Sequence, residues 1–166
     1  MLNYHRVVQN AILDFGTSHM HKEITSVSKG GELLYIHHRS DPKLKPMTVK
    51  PDGIFIMNNQ FKSKIVFQVL DSQRKHNREI EADIFRAYLC SGVGRLVFVV
   101  PTKQDLENVS RLSSIIQDNL EGYGNKFYIN FALTLLIPKI VGDRKMNRKM
   151  ALRYLAAPNT SREIFK

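Results

Sequence analysis

Two apolar runs near the middle of the chain carry polar groups where a hairpin would bring them together. The segment "VKPDGIFIMNNQFKSKIVFQVLDSQ" spans residues 49–73. It puts Asp52 at the start of one run and Gln68, Asp71 and Gln73 at the end of the next. The stretch around Asn58, Asn59 and Gln60 reads as the turn between them. With the turn there, antiparallel pairing sets Asp52 against residues 67–70. Side chains alternate along a strand, so Gln68 and Leu70 share a face while Asp71 points to the other. Hard divalent cations such as Mg²⁺ take oxygen ligands of this kind, usually from one or two carboxylates. Each residue also has a structural use. Asp52 between Pro51 and Gly53 suits a turn or strand entry. Asp71 and Ser72 suit the N-cap of a following helix, and Gln68 suits a hydrogen-bonded amide between aliphatic neighbours.

Other site chemistries find less material. His19 and His21, and the adjacent His37 and His38, lack the Cys pair or acid that would complete a zinc set. Neighbouring strand residues face opposite ways, so His37 and His38 do not share an ion. "GVGR" at Gly92 lacks the later Gly and Lys of a phosphate-binding loop. Cys90 lies in an apolar helical pattern and reads as core rather than nucleophile. As the single cysteine it also excludes an internal disulfide framework.

Charge is the strongest compositional signal. Twenty-five Lys and Arg against 15 Asp and Glu leave a net charge of +10 on 166 residues. From Lys139 to Lys166, eight basic residues face only Asp143 and Glu163, so this end carries +6 of the total. Such a field favours phosphate-rich partners through counterion release, and nucleic acid leads among them. No apolar run approaches the roughly 20 residues that span a bilayer, so no membrane association is expected. The N-terminal stretch lacks the pattern of a secretory signal. With a lone cysteine, this sets the expectation of an intracellular, cytoplasmic protein.

The elements that must hold these residues follow from periodicity. Val7, Val8, Ile12, Leu13 and Phe15 fit a helix over residues 4–20. "EITSVS" and "ELLYIHH", split by Gly30 and Gly31, read as a strand pair, and the two prolines of residues 40–46 mark a loop. After the hairpin come a helix over 78–91, the buried strand "RLVFVV", and a helix from Thr102 to about Leu120. "KFYINFALTLLIP" is a last strand and residues 143–156 a basic terminal helix. The expected class is α/β, with a mixed central sheet between helices. A single domain is expected, with its core in about residues 1–137 and a basic extension over 138–166.

This order, with "KPDGIF" and "KIVFQVLDSQ" leading to "EADIFRAYLCSG" and "RLVFVV", resembles the PD-(D/E)XK nuclease superfamily. The resemblance covers about residues 48–100 and implies an αβββαβ, restriction-endonuclease-like core. It also implies Mg²⁺- or Mn²⁺-dependent hydrolysis of phosphodiesters in DNA, rather than RNA, by a homodimer or a subunit of a larger complex. In the family, an Asp after Pro, an acid one strand later and a Lys two residues beyond it hold metal and activate water. Asp52 matches the first. Gln68 and Leu70 stand at the other two positions, which departs from the pattern. Asp71 with Gln73 offers a replacement pair if a bulge re-aims Asp71, and Glu23 matches the extra acid some members carry after the first helix. Lys62, Lys64, Arg74, Lys75, Arg144, Lys145, Arg148 and Lys149 are the candidate phosphate contacts. The opposing expectation is a nuclease-like domain that has lost catalysis and binds nucleic acid through its basic surface.

Overall fold

A computed structural model of the chain describes residues 3–29, 32–38, 40–70, 77–90, 92–120 and 131–166. Helix α1 (Tyr4–Ser18) starts at Asn3, whose side chain accepts from the Arg6 N–H at 2.8 Å. It buries Val7, Val8, Ala11, Ile12 and Phe15 on one stripe. The strands are β1 (Ile24–Lys29), β2 (Leu34–Ile36), β3 (Met47–Val49), β4 (Gly53–Met57), β5 (Lys64–Val69), β6 (Val93–Val100) and β7 (Ala132–Leu136). Helix α2 (Asn77–Leu89) follows β5, and α3 (Lys103–Leu120) follows β6. Thr102 caps α3 as expected: its hydroxyl accepts from the Asp105 N–H and donates to the Asp105 carboxylate.

Five strands form a mixed sheet in the order β1-β4-β5-β6-β7. The β1/β4 and β4/β5 pairs are antiparallel, and β5/β6 and β6/β7 are parallel. Connection length decides this. A short turn links β4 to β5, whereas a helix separates each parallel pair. Alternation then builds two cores. Ile65, Phe67, Val69, Val97 and Val99 pack with α1, while Val66, Leu70, Leu96, Phe98 and Val100 pack with α2 and α3. Helices therefore cover both faces of the sheet. Among the described residues, no helix is long and apolar enough to cross a membrane.

Two expected elements turn out differently. β1 does not pair with β2; it joins β4, with Val27 opposite Phe55. β2 instead pairs with β3 in a separate ribbon, where Leu34 opposite Val49 is buried against Ile54, Val66 and Ile80. Local pattern gave both strands but could not choose their partners. The terminal helix is shorter than expected and is preceded by a two-stranded hairpin, β8 (Ile140–Val141) and β9 (Arg144–Lys145). Gly142 has φ +63° and Asp143 does not have positive φ, the signature of a II′ turn with Gly first. Asn147 then caps α4 (Arg148–Ala156) by accepting from the Met150 N–H at 2.9 Å. Helix α5 (Pro158–Phe165) opens on a proline, whose missing N–H costs nothing at that position.

The basic C-terminal segment is also more than an extension. Met146, Ala151, Leu155 and Ile164 are buried in the same core as α1. Beneath α5, the buried Arg95 of β6 donates to the backbone oxygens of Glu163 and Lys166. A cation at a helix C-terminus complements both the free carbonyls and the dipole. Burial lowers the Arg95 pKa, partly opposed by the Glu163 carboxylate.

Close approach of α1 to the sheet depends on Gly16. A Cβ there would stand 2.5 Å from a Phe55 ring carbon and 2.8 Å from a Val27 methyl carbon. Alanine would gain about 1 kcal/mol in helix propensity, but overpacking of this kind costs about 1–3 kcal/mol. Gly16→Ala is therefore expected to lower the thermal unfolding midpoint. An unchanged or raised midpoint would contradict the contact.

Candidate functional site

The corner around Asp52 is built where the β4/β5 ladder runs out. Gly53 is still in register with Phe67. One residue earlier the pattern becomes irregular: the Asp52 N–H donates to the Phe67 carbonyl at 3.0 Å. The Val69 N–H donates to Asp52 Oδ2 at 2.7 Å, so a side chain supplies the acceptor at the end of the ladder. Helix α1 closes the other side. His5 Nε2 lies 2.9 Å from Asp52 Oδ1, and Gln9 Nε2 donates to the Asp52 carbonyl at 2.9 Å. His5 and Gln9 share a helix face because they are four residues apart. The Asp52 side chain keeps 17 % exposure, so this pairing is partly screened.

The regular β4/β5 register ends at Gly53 and Phe67, and Asp52 bonds to Phe67 as well rather than pairing with Gln68; Gln68 is half-buried and in register with Phe98 of β6. Leu70 is buried with Ile80 and Ile84, and its N–H donates to the Val99 carbonyl. The position that the resemblance aligns with a Lys is therefore part of the apolar core. Asp71, Gln73, Arg74 and Lys75 lie outside the described residues.

The structure does not bring Glu23 to this corner. Its backbone oxygen accepts from the Asn58 N–H, just beyond Met57 at the far end of β4. Four strand steps separate Gly53 from Met57, so Glu23 is on the order of 15 Å from Asp52. Its carboxylate lies 2.8 Å from His19 Nδ1, and that hydrogen bond holds it below the usual carboxylate range. The α1 residue that does reach Asp52 is His5, which the sequence reading missed. The available signal was the Asn3 cap, which places His5 and Gln9 on one face at the start of α1.

The basic residues divide between the two ends of the sheet. Lys62 and Lys64 sit at the β4/β5 turn, the end away from Asp52. Arg148 on α4 makes a two-pronged pair with the Asp14 carboxylate of α1, through both Nε and a terminal nitrogen. That pair lowers the Asp14 pKa and raises that of Arg148. Arg148 therefore ties α4 to α1 while its side chain stays 51 % exposed. Lys149 is exposed on the same helix. Arg144 and Lys145 are exposed on β9. The base of their hairpin meets the first turn of α1: the Tyr4 hydroxyl donates to the Ile137 carbonyl at 2.6 Å, and Lys139 Nζ lies 5.7 Å from the Tyr4 ring centre. The β8–β9 ribbon thus has its root at the Asp52 end of the sheet, the end where exposed Arg6 and Lys50 also lie in the chain.

As a cation site the described corner is incomplete. It offers one carboxylate, and each oxygen of that carboxylate already has a nitrogen partner. Among the described residues, no cluster of three His, Cys, Asp or Glu side chains is placed to hold a metal. These residues do not fit Mg²⁺ or Mn²⁺ by themselves. The sequence matches no protein-family model, and neither a curated protein nor a solved structure matches it.

Two variants test this geometry. Asp52→Ala leaves the Val69 N–H without its acceptor and is expected to cost about 1–3 kcal/mol, whereas Asp52→Asn keeps an acceptor and loses less. Equal denaturant midpoints for the two would contradict the bond. The Asp14–Arg148 pair is partly exposed, so its worth is under about 1 kcal/mol. Because the folded Asp14 pKa is depressed, its contribution is full above the unfolded carboxylate value and fades as pH falls through the folded one. Asp14→Asn should destabilise at pH 7 and converge with the wild type in strong acid. A constant difference across that range would contradict the pairing.

Proposed function

We propose that the chain is a DNA-binding protein of PD-(D/E)XK-like architecture in which the Asp52 corner has become a structural clamp. The observation that carries this reading is the double commitment of the Asp52 carboxylate, to the Val69 N–H and to His5. The sheet order supports the architecture: a helix, three antiparallel strands, a helix and a parallel strand occur in the family's sequence. The C-terminal edge of the parallel strands is where open α/β sheets bind ligands. That edge carries Arg6, Lys50, Arg144 and Lys145, which suit a phosphate backbone. Leu70 in the apolar core and an amide, Gln68, near the end of β5 are what a binding domain would tolerate and a two-acid metal site would not.

A second reading has its own observation. The Asp52 side chain remains 17 % exposed, and Asp71, two residues after Val69 in the sequence, would complete an acidic pair. On that reading the protein is a Mg²⁺- or Mn²⁺-dependent DNA endonuclease, with Asp71 and Gln73 replacing the family's second acid and Lys.

Purified protein titrated with duplex DNA, single-stranded DNA and RNA at two salt concentrations separates the readings, with parallel incubation in Mg²⁺ and Mn²⁺. The proposal expects DNA affinity that falls steeply with salt, persists in EDTA, and comes without cleavage. Metal-dependent cleavage lost in both Asp52→Asn and Asp71→Asn would establish the second reading instead. Preference for RNA would correct the partner, and absence of binding to any nucleic acid would defeat both.

A further inference from the structure

The β8–β9 ribbon is rigid at its root and apolar at its tip, a combination the clamp does not use. Ile137 before it and Met146 after it are buried in the main core, and the Met146 N–H donates to the Lys139 carbonyl at 2.7 Å. The Tyr4 hydroxyl holds the Ile137 carbonyl. Beyond this root, Ile140 is 60 % exposed and Val141 37 % exposed. Cross-strand pairing matches Ile140 with Lys145 and Val141 with Arg144. Paired residues lie on the same face of a ribbon, so each face presents one branched aliphatic group beside one long cation.

Resting on the reading of the chain as a DNA-binding protein, we propose that this ribbon is a wedge that enters duplex DNA. Ile140 or Val141 inserts at a base step while Arg144 and Lys145 hold the flanking phosphates. Apolar side chains used in this way unstack a step and kink the helix. A two-residue hairpin is narrow enough to reach into a groove, and its II′ turn keeps the strands from splaying. The charge pattern favours DNA: apart from Asp143 at the turn, every charged group from Lys139 to Lys145 is a cation. The position favours it too, because the ribbon stands at the sheet edge that carries Arg6 and Lys50.

The test uses the full chain and an end-labelled duplex with a central TA step, which unstacks easily. Bending is read by energy transfer between the duplex ends, and unstacking by permanganate reactivity of the central thymine. The wild type is expected to bend the duplex and expose the thymine. Ile140→Ser/Val141→Ser, altered only at exposed positions, should lose both signals and bind the duplex about tenfold more weakly, the scale of one aliphatic side chain's burial. Arg144→Gln and Lys145→Gln should each reduce the salt slope of binding by about one. Unchanged bending and thymine reactivity in the double variant would overturn the wedge while leaving DNA binding itself intact. Loss of DNA binding by the wild type would instead overturn the underlying reading and the wedge with it. Tip-dependent binding to anionic vesicles with no effect on the duplex would reassign the ribbon to a membrane surface and also overturn the proposal.

Discussion

Everything at the Asp52 corner depends on how closely α1 lies against the central sheet. At one end of the helix, Gly16 lets the backbone meet Phe55 and Val27 with no room for a Cβ. At the other, His5 and Gln9 reach the first residue before β4. Between them Val8, Ile12 and Phe15 are almost fully buried. The apolar stripe supplies the driving force and the glycine sets the distance. The polar contacts at Asp52 are then possible because a rigid helix holds their donors in place. Arg148 extends the same logic to α4, which it ties to the exposed side of α1 through Asp14.

One carboxylate in this setting serves two ends. It terminates a β-ladder by accepting from Val69, and it fixes the helix by facing His5. Both uses compete with a divalent cation for the same oxygens. The shape of the corner also needs the end of β5 to pack into the core. Leu70 does pack, against Ile80 and Ile84. The basic groups face a different constraint. Arg148 at the helix surface is drawn into a pair with Asp14, whereas Arg144 and Lys145 are exposed on the β9 ribbon.

The sequence made the local features legible and left the long-range ones open. Periodicity located α1, α2, α3, β4, β5 and β6 because each has a strong stripe or a short apolar run. Turn residues placed the β4/β5 hairpin well enough to bring Asp52 to Phe67 and Val69 at the end of β5. Strand partnership escaped, since β2 buries Leu34 against Val49 of β3, a pairing that no local signal marks. Met146, Met150 and Tyr154 have helical spacing, which alone predicts one helix over residues 143–156. The II′ turn at Gly142 and the Asn147 cap were the local signals against it. At the site, Asp52 stood out by its dipeptide, while His5 was hidden because nothing local reveals which helix residue will meet a strand end. Glu23 failed for the same reason: proximity in sequence to α1 placed it at the wrong end of the sheet.

The clamp is tested most directly by titrating Mn²⁺ into isotope-labelled protein and following paramagnetic broadening of the His5 imidazole and Val69 amide resonances. If Asp52 is held by Val69 and His5, both signals should persist until broadening is general across the surface. Selective loss of these two signals at low Mn²⁺, absent in Asp52→Asn, would show a metal centre at this corner and contradict the account.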